Sequence, residues 1–177
     1  DGWNTDFTAD VFGYFGCTWF VYWSINDKEG SETYGKRNMC QGPTTYHWGG
    51  TYLGVTDQCP NKELAALVLY TLCCDTDTMY KLSDETLDFV NNKAAVEKLI
   101  ADGKGESPVL GGANPLQTWA DNAEKINLQY ATEYDSTFNG YLDNASEAYN
   151  SGELKTVDDA VAKIKELIKD GYQNLTV

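Results

Sequence analysis

Apolar residues recur at three- and four-residue steps along most of the chain beyond residue 60, a spacing that lines up one face of a helix. Leu64, Leu67, Val68 and Leu72 predict a helix over residues 60–82, with Pro60 or Asn61 as its start signal. Val96, Leu99 and Ile100 predict another, which Asn91-Asn92 can cap. Asn114 is a good N-cap and Pro115 a good first residue for a third. That start puts Trp119 in the second turn, near the end where backbone N–H groups lie open to a ligand. A further helix is predicted within Asp135–Asn150. The clearest stripe follows Thr156: Val157, Ala160, Val161, Ile164, Leu167 and Ile168.

The earlier residues are patterned differently. Val11-Phe12-Gly13-Tyr14-Phe15 followed by Gly16-Cys17-Thr18-Trp19 reads as a strand over 11–21 that runs into a turn, with Trp19 where the strand ends. Residues 26–35 are polar and contain glycine, which predicts a loop. Residues 51–56 read as a second short strand. A glycine-rich loop is predicted through Gly103, Gly105 and Pro108 to Gly111-Gly112-Ala113-Asn114-Pro115. There is no internal repeat and no low-complexity stretch, and few strands beside many helices fit a closed sheet protein poorly.

Composition narrows the function classes. The chain has 177 residues, enough for one good core, and is 42% hydrophobic and 13% aromatic, the mark of a folded protein. Its net charge of −14, spread without blocks, repels phosphate backbones and anionic headgroups, which argues against nucleic-acid binding and basic membrane docking. The 12 tyrosines and 5 tryptophans pair an apolar face with a hydrogen-bonding tip, which suits polar ligands such as sugars, although most of the tyrosines are expected to fill the core. Five cysteines cannot all pair within the chain and show no zinc spacing. Cys73 and Cys74 fall mid-helix in this reading, at least one as a small buried hydrophobe. Cysteine usage alone suggests a reducing compartment, though an exported protein of an anaerobe would also keep free thiols. No transmembrane stretch is present. The opening Asp1-Gly2-Trp3 is not a signal peptide, so either export signals have been removed or the chain is an internal fragment.

The densest candidate chemistry lies between Gln41 and Val55, where Tyr46, His47 and Trp48 stand beside Gly49-Gly50. Glycine lets a backbone pass close to a ligand while neighbouring rings offer it flat faces. Catalytic and metal signatures are weaker. Asp75-Thr76-Asp77 begins like a calcium loop but lacks the required glycine and distal glutamate. There is no nucleophile elbow, phosphate loop or dinucleotide fingerprint. Carboxylates are numerous enough for a glycosidase pair, but nothing marks one. The sequons at Asn144 and Asn174 are expected by chance in a chain this rich in Asn, Ser and Thr. No cofactor and no metal ligand set is expected.

Taken in order, several motifs resemble the C-terminal part of the maltose-binding-protein-like family, the sugar-binding proteins of carbohydrate ABC importers. They are the turn Gly16-Cys17-Thr18-Trp19, the Gly49-Gly50 crossing, Asn61-Lys62-Glu63-Leu64-Ala65, Asn91-Asn92-Lys93, the loop Gly111 to Pro115 with Trp119 on the next helix, and a closing amphipathic helix. The resemblance runs from Val11 onward. It implies an α/β protein, a helix-rich C-terminal part of a bilobed type II periplasmic-binding-protein fold, with the first lobe's sheet not included. Residues 1–45 would be the end of the second-lobe sheet and a loop, 46–88 the crossing and a first-lobe return segment, and 89–177 the closing helices of the second lobe. The implied role is non-enzymatic: capture of an extracellular carbohydrate, in the first instance an oligosaccharide, and its delivery to membrane permease subunits. The implied location is extracellular, as a cell-surface lipoprotein or in the periplasm. A carbohydrate-active enzyme fragment and a receptor for a non-sugar solute are the alternatives. The helices over 60–82 would expose an apolar face, so self-association is expected.

The same resemblance nominates binding residues. Trp19 matches a position whose indole stacks on a sugar ring, against the reading of a core tryptophan at a strand end. Trp119 matches the aromatic on the capped helix. Trp48 is either a ligand platform or hinge packing, with Tyr46 and His47 flanking it. Asn114 is expected to spend its side chain on capping, with a sugar hydroxyl as the other reading. Trp3 and Trp23 carry no positional argument.

Overall fold

The computed structural model describes residues 13–25 and 29–177. Trp3 and the start of the expected strand, Val11-Phe12, lie outside the described residues, as do 26–28 of the expected loop. Helix makes up 49% of the described residues and no strand occurs among them, so this part of the protein is mostly helical. A π-helical segment Phe20–Ile25 comes first. The α-helices are α1 (Lys62–Cys73), α2 (Thr76–Thr86), α3 (Lys93–Ala101), α4 (Leu116–Ala123), α5 (Asp135–Asn150) and α6 (Val157–Gly171), with a 3₁₀ turn Pro108–Leu110 before α4. None is long and apolar enough to cross a membrane. The chain divides into two compact units, Asp1–Ile126 and Asn127–Val177. That boundary falls inside the stretch 89–177 read from the sequence as one set of closing helices.

In the first unit, α2, α3 and α4 surround two small apolar clusters. One gathers Val21, Leu99, Leu110, Leu116 and Trp119, and the other Met79, Val90, Ala95 and Val96. Tyr80, Phe89 and Ile100 pack against both. Local chemistry sets the helix ends. Asn92 Oδ1 accepts from Ala95 N at 2.9 Å, and its Nδ2 donates to Cys74 O at 2.8 Å, so one side chain starts α3 and fastens it to the α1–α2 junction. Leu87 closes α2 in the left-handed region at φ 61°, with its N–H donating to Ser83 O. The buried Ser83 hydroxyl then donates to Asp88 O at 2.6 Å and holds the reversal into α3.

The single helix expected over 60–82 is two. Cys74 N and Asp75 N both donate to Tyr70 O, and the Asp75 carboxylate accepts from Thr78 N and Thr78 Oγ1, so a new helix is capped where the first stops. Cys73 therefore ends α1 and Cys74 lies exposed at its cap, neither of them a buried mid-helix residue. The start of the supposed calcium motif is this cap. Helix α1 carries no buried residue: Leu64, Leu67, Val68 and Leu72 stay 47–60% exposed.

Neither expected strand forms among the described residues. Over 13–25 the chain turns and winds into the π-helical segment, because Gly16 leaves room for the Phe20 side chain to fold back: a Cβ at Gly16 would stand 2.4 Å from Phe20 Cγ. Residues 51–56 are exposed and have no ladder, with Tyr52 90% exposed. A strand needs a neighbour to take its backbone groups, and no strand partner pairs with 51–56 among the described residues.

The second unit is a hairpin of α5 and α6. Thr156 and Asp159 form a capping box at the start of α6, each side chain accepting from the other's backbone N–H. Ala145 and Ile168 are buried. Phe138 packs against Tyr134, Tyr141 and Tyr172, with ring centroids 5.7–6.2 Å away. Both helices begin where the sequence placed them, and Val157 and Val161 of the predicted stripe stay exposed.

Candidate functional site

The first unit brings together two of the nominated tryptophans from distant parts of the chain. The turn before the π-helical segment is closed by Phe20 N donating to Cys17 O at 3.0 Å. Trp19 O then accepts from Trp23 N at 2.9 Å. This fixes the Trp19 backbone at the turn and leaves its indole 37% exposed. Opposite it, the 45–48 segment is tethered by Thr45 Oγ1, which donates to Lys125 O at 3.3 Å. Trp48 meets Trp19 edge to face, with centroids 6.3 Å apart and planes at 74°. Trp48 is 59% exposed. The two indoles thus form an open corner.

Tyr46 and Cys17 extend this arrangement. Burial pushes the Tyr46 hydroxyl up, and the neighbouring Cys17 sulfur adds to the effect. Burial also raises the Cys17 thiol, against the backbone hydrogen bonds of Cys17 and Phe20. Both groups therefore stay neutral at neutral pH. The resulting surface is aromatic and carries neutral hydrogen-bonding tips, a chemistry suited to an uncharged polar ring.

The other nominated residues fall elsewhere. His47 is exposed between Tyr46 and Trp48. Asn114 donates from Nδ2 to Lys104 O at 2.7 Å and accepts at Oδ1 from Leu116 N at 3.0 Å, so both ends of its amide are spent holding the loop and starting α4. Trp119 corrects the sequence reading most sharply. It completes the first turn of α4 and not the second, is 7% exposed, and packs edge-on against Phe89 at 5.8 Å. With Leu116 three residues before it on the same helical face, its indole points into the core and offers no open face to a ligand.

One contact had no signal in the sequence. The exposed Trp23 donates from Nε1 to the Asp88 carboxylate at 3.2 Å across 65 residues of chain, tying the π-helical segment to the α2–α3 turn. Only tertiary structure could have paired them. Among the described residues no group of three or more His, Cys, Asp or Glu is arranged to hold a metal ion, and no disulfide joins the cysteines. No family model, curated protein or solved structure matches the chain.

Proposed function

We propose that this chain is part of an extracellular carbohydrate-binding component of an ABC importer, and that Trp19, Tyr46 and Trp48 take the sugar. The single observation carrying the reading is the Trp19–Trp48 corner, two part-exposed indoles brought together beside neutral hydroxyl and thiol groups. Sugars present flat C–H faces and a rim of hydroxyls. Covering roughly 100 Å² of ring face at about 25 cal/mol per Å² stabilises the complex by on the order of 2.5 kcal/mol per platform.

In this reading the role is capture and delivery, without turnover. The protein would be a bilobed type II binding protein, of which this chain supplies a helical part, exposed on the cell surface as a lipoprotein or held in the periplasm. Its partners are the carbohydrate and the membrane permease subunits, which receive the ligand-closed form. The exposed apolar face of α1 supports a missing packing partner, which the reading identifies as the first lobe.

A thermal-shift panel of sugars, peptides and polyamines tests the assignment. A rise in Tm with sugars alone is expected, and a rise with non-sugars alone overturns the ligand class. Appearance of new reducing ends on incubation with oligosaccharides overturns the non-enzymatic role.

A further inference from the structure

We infer that the Trp19–Trp48 corner seats one sugar ring, a free monosaccharide or a chain terminus, and does not bind successive units of an oligosaccharide. The inference rests on the carbohydrate reading above and deepens it. Successive rings in a sugar chain need platforms spread along the chain, each with its own open face. Here the planes stand at 74° with centroids only 6.3 Å apart, so the edge of one indole occupies part of the other's face. A single ring laid on one indole turns its rim toward the other, and both tryptophans touch the same ring. No second ring fits between them at that separation. Tyr46, 46% exposed and two residues before Trp48, adds a neutral hydroxyl on the same segment.

The two geometries differ in how the tryptophans couple. With separate platforms, losing one indole costs one subsite: a trisaccharide weakens while a monosaccharide using the other platform keeps its affinity. With one shared corner, losing either indole weakens both ligands by the same factor. The test is calorimetric titration of the full chain and its Trp19→Ala and Trp48→Ala variants. The ligands are glucose, galactose, mannose and N-acetylglucosamine, with a trisaccharide built from each. Denaturant midpoints are measured alongside to show that each variant is folded.

At least one monosaccharide is expected to bind, with its trisaccharide within about threefold, and each variant is expected to weaken both by about tenfold or more. Affinity rising about tenfold per added unit, or a variant that spares the monosaccharide, overturns the single-ring site while leaving the carbohydrate reading intact. Binding of choline in the absence of any sugar binding overturns both, since perpendicular aromatic faces can also enclose a quaternary ammonium group.

Discussion

Replacing Trp119 by Ala separates a core role from a ligand role. The indole is 7% exposed, so nearly all of its surface is removed from water on folding. A buried Trp hides about 200 Å², and at about 25 cal/mol per Å² this corresponds to about 5 kcal/mol, with the denatured chain's own residual burial lowering the figure. The edge-to-face contact with Phe89 is lost as well, and the cavity would border Leu99, Leu110 and Leu116. A loss of about 3–5 kcal/mol is therefore expected, a large part of the roughly 5–15 kcal/mol available to a domain. Trp119→Phe, which keeps a flat ring, should lose less. Trp48→Ala, at a position 59% exposed, should cost under about 1 kcal/mol. Urea titrations followed by circular dichroism at the helix band give the midpoints without depending on the tryptophan being removed. A Trp119→Ala midpoint equal to that of the unaltered protein, or a Trp48→Ala loss as large as the one expected for Trp119, would refute the assignment of these two residues to core and surface.

Other expectations follow from single contacts. Asn92→Ala removes a cap and two tethers to the α1–α2 junction and should cost about 1–2 kcal/mol by the same titration; an unchanged midpoint would show the tethers contribute nothing. Gly111→Ala should destabilise the glycine-rich loop, because the residue sits at φ 65° and a Cβ would stand 2.5 Å from the Gly35 carbonyl oxygen; a Tm at or above that of the unaltered protein counts against this. The hydrogen bonds from Thr78 and Thr156 hold the Asp75 and Asp159 carboxyls below the usual carboxylate range. Their stabilising effect is therefore full above the unfolded carboxylate value and is lost as pH falls from about 4 through the folded values. A Tm that stays flat through that window, with Thr78→Val and Thr156→Val showing the same acid profile as the unaltered protein, would show otherwise. The α1 face should drive self-association that Leu67→Glu weakens, and sedimentation showing a monomer at all concentrations would exclude it.

The fold was legible where its cause is local. Asn92 at the start of α3, the span Asp135–Asn150 and the Thr156 cap of α6 each depend on a few neighbouring residues, and sequence carries that information directly. The break at Cys74–Asp75 was hidden because apolar spacing continues across it through Met79 while the Asp75 cap competes. The strands failed for a different reason. The apolar and aromatic content of 11–21 and 51–56 states what a segment could do beside a partner, and it cannot say whether a partner arrives.

The site shows the same divide. The glycines beside Tyr46 and Trp48 drew attention to that segment, but their meeting with Trp19 and Cys17 joins stretches that lie far apart in the chain. Nor could an Asn-Pro start decide which way Trp119 points, since a helix's first turn can face water or core equally well. Leu116 decides it: two apolar side chains three residues apart share a face, and a helix start flanked by Leu110 buries that face. The tryptophan with the strongest capping argument is thus the one least available to a ligand. The pair with the weaker local argument remains partly open because neither of its segments is a regular helix with an apolar stripe to bury. In this chain, candidate binding aromatics are better sought where patterning is poor than where it is strong.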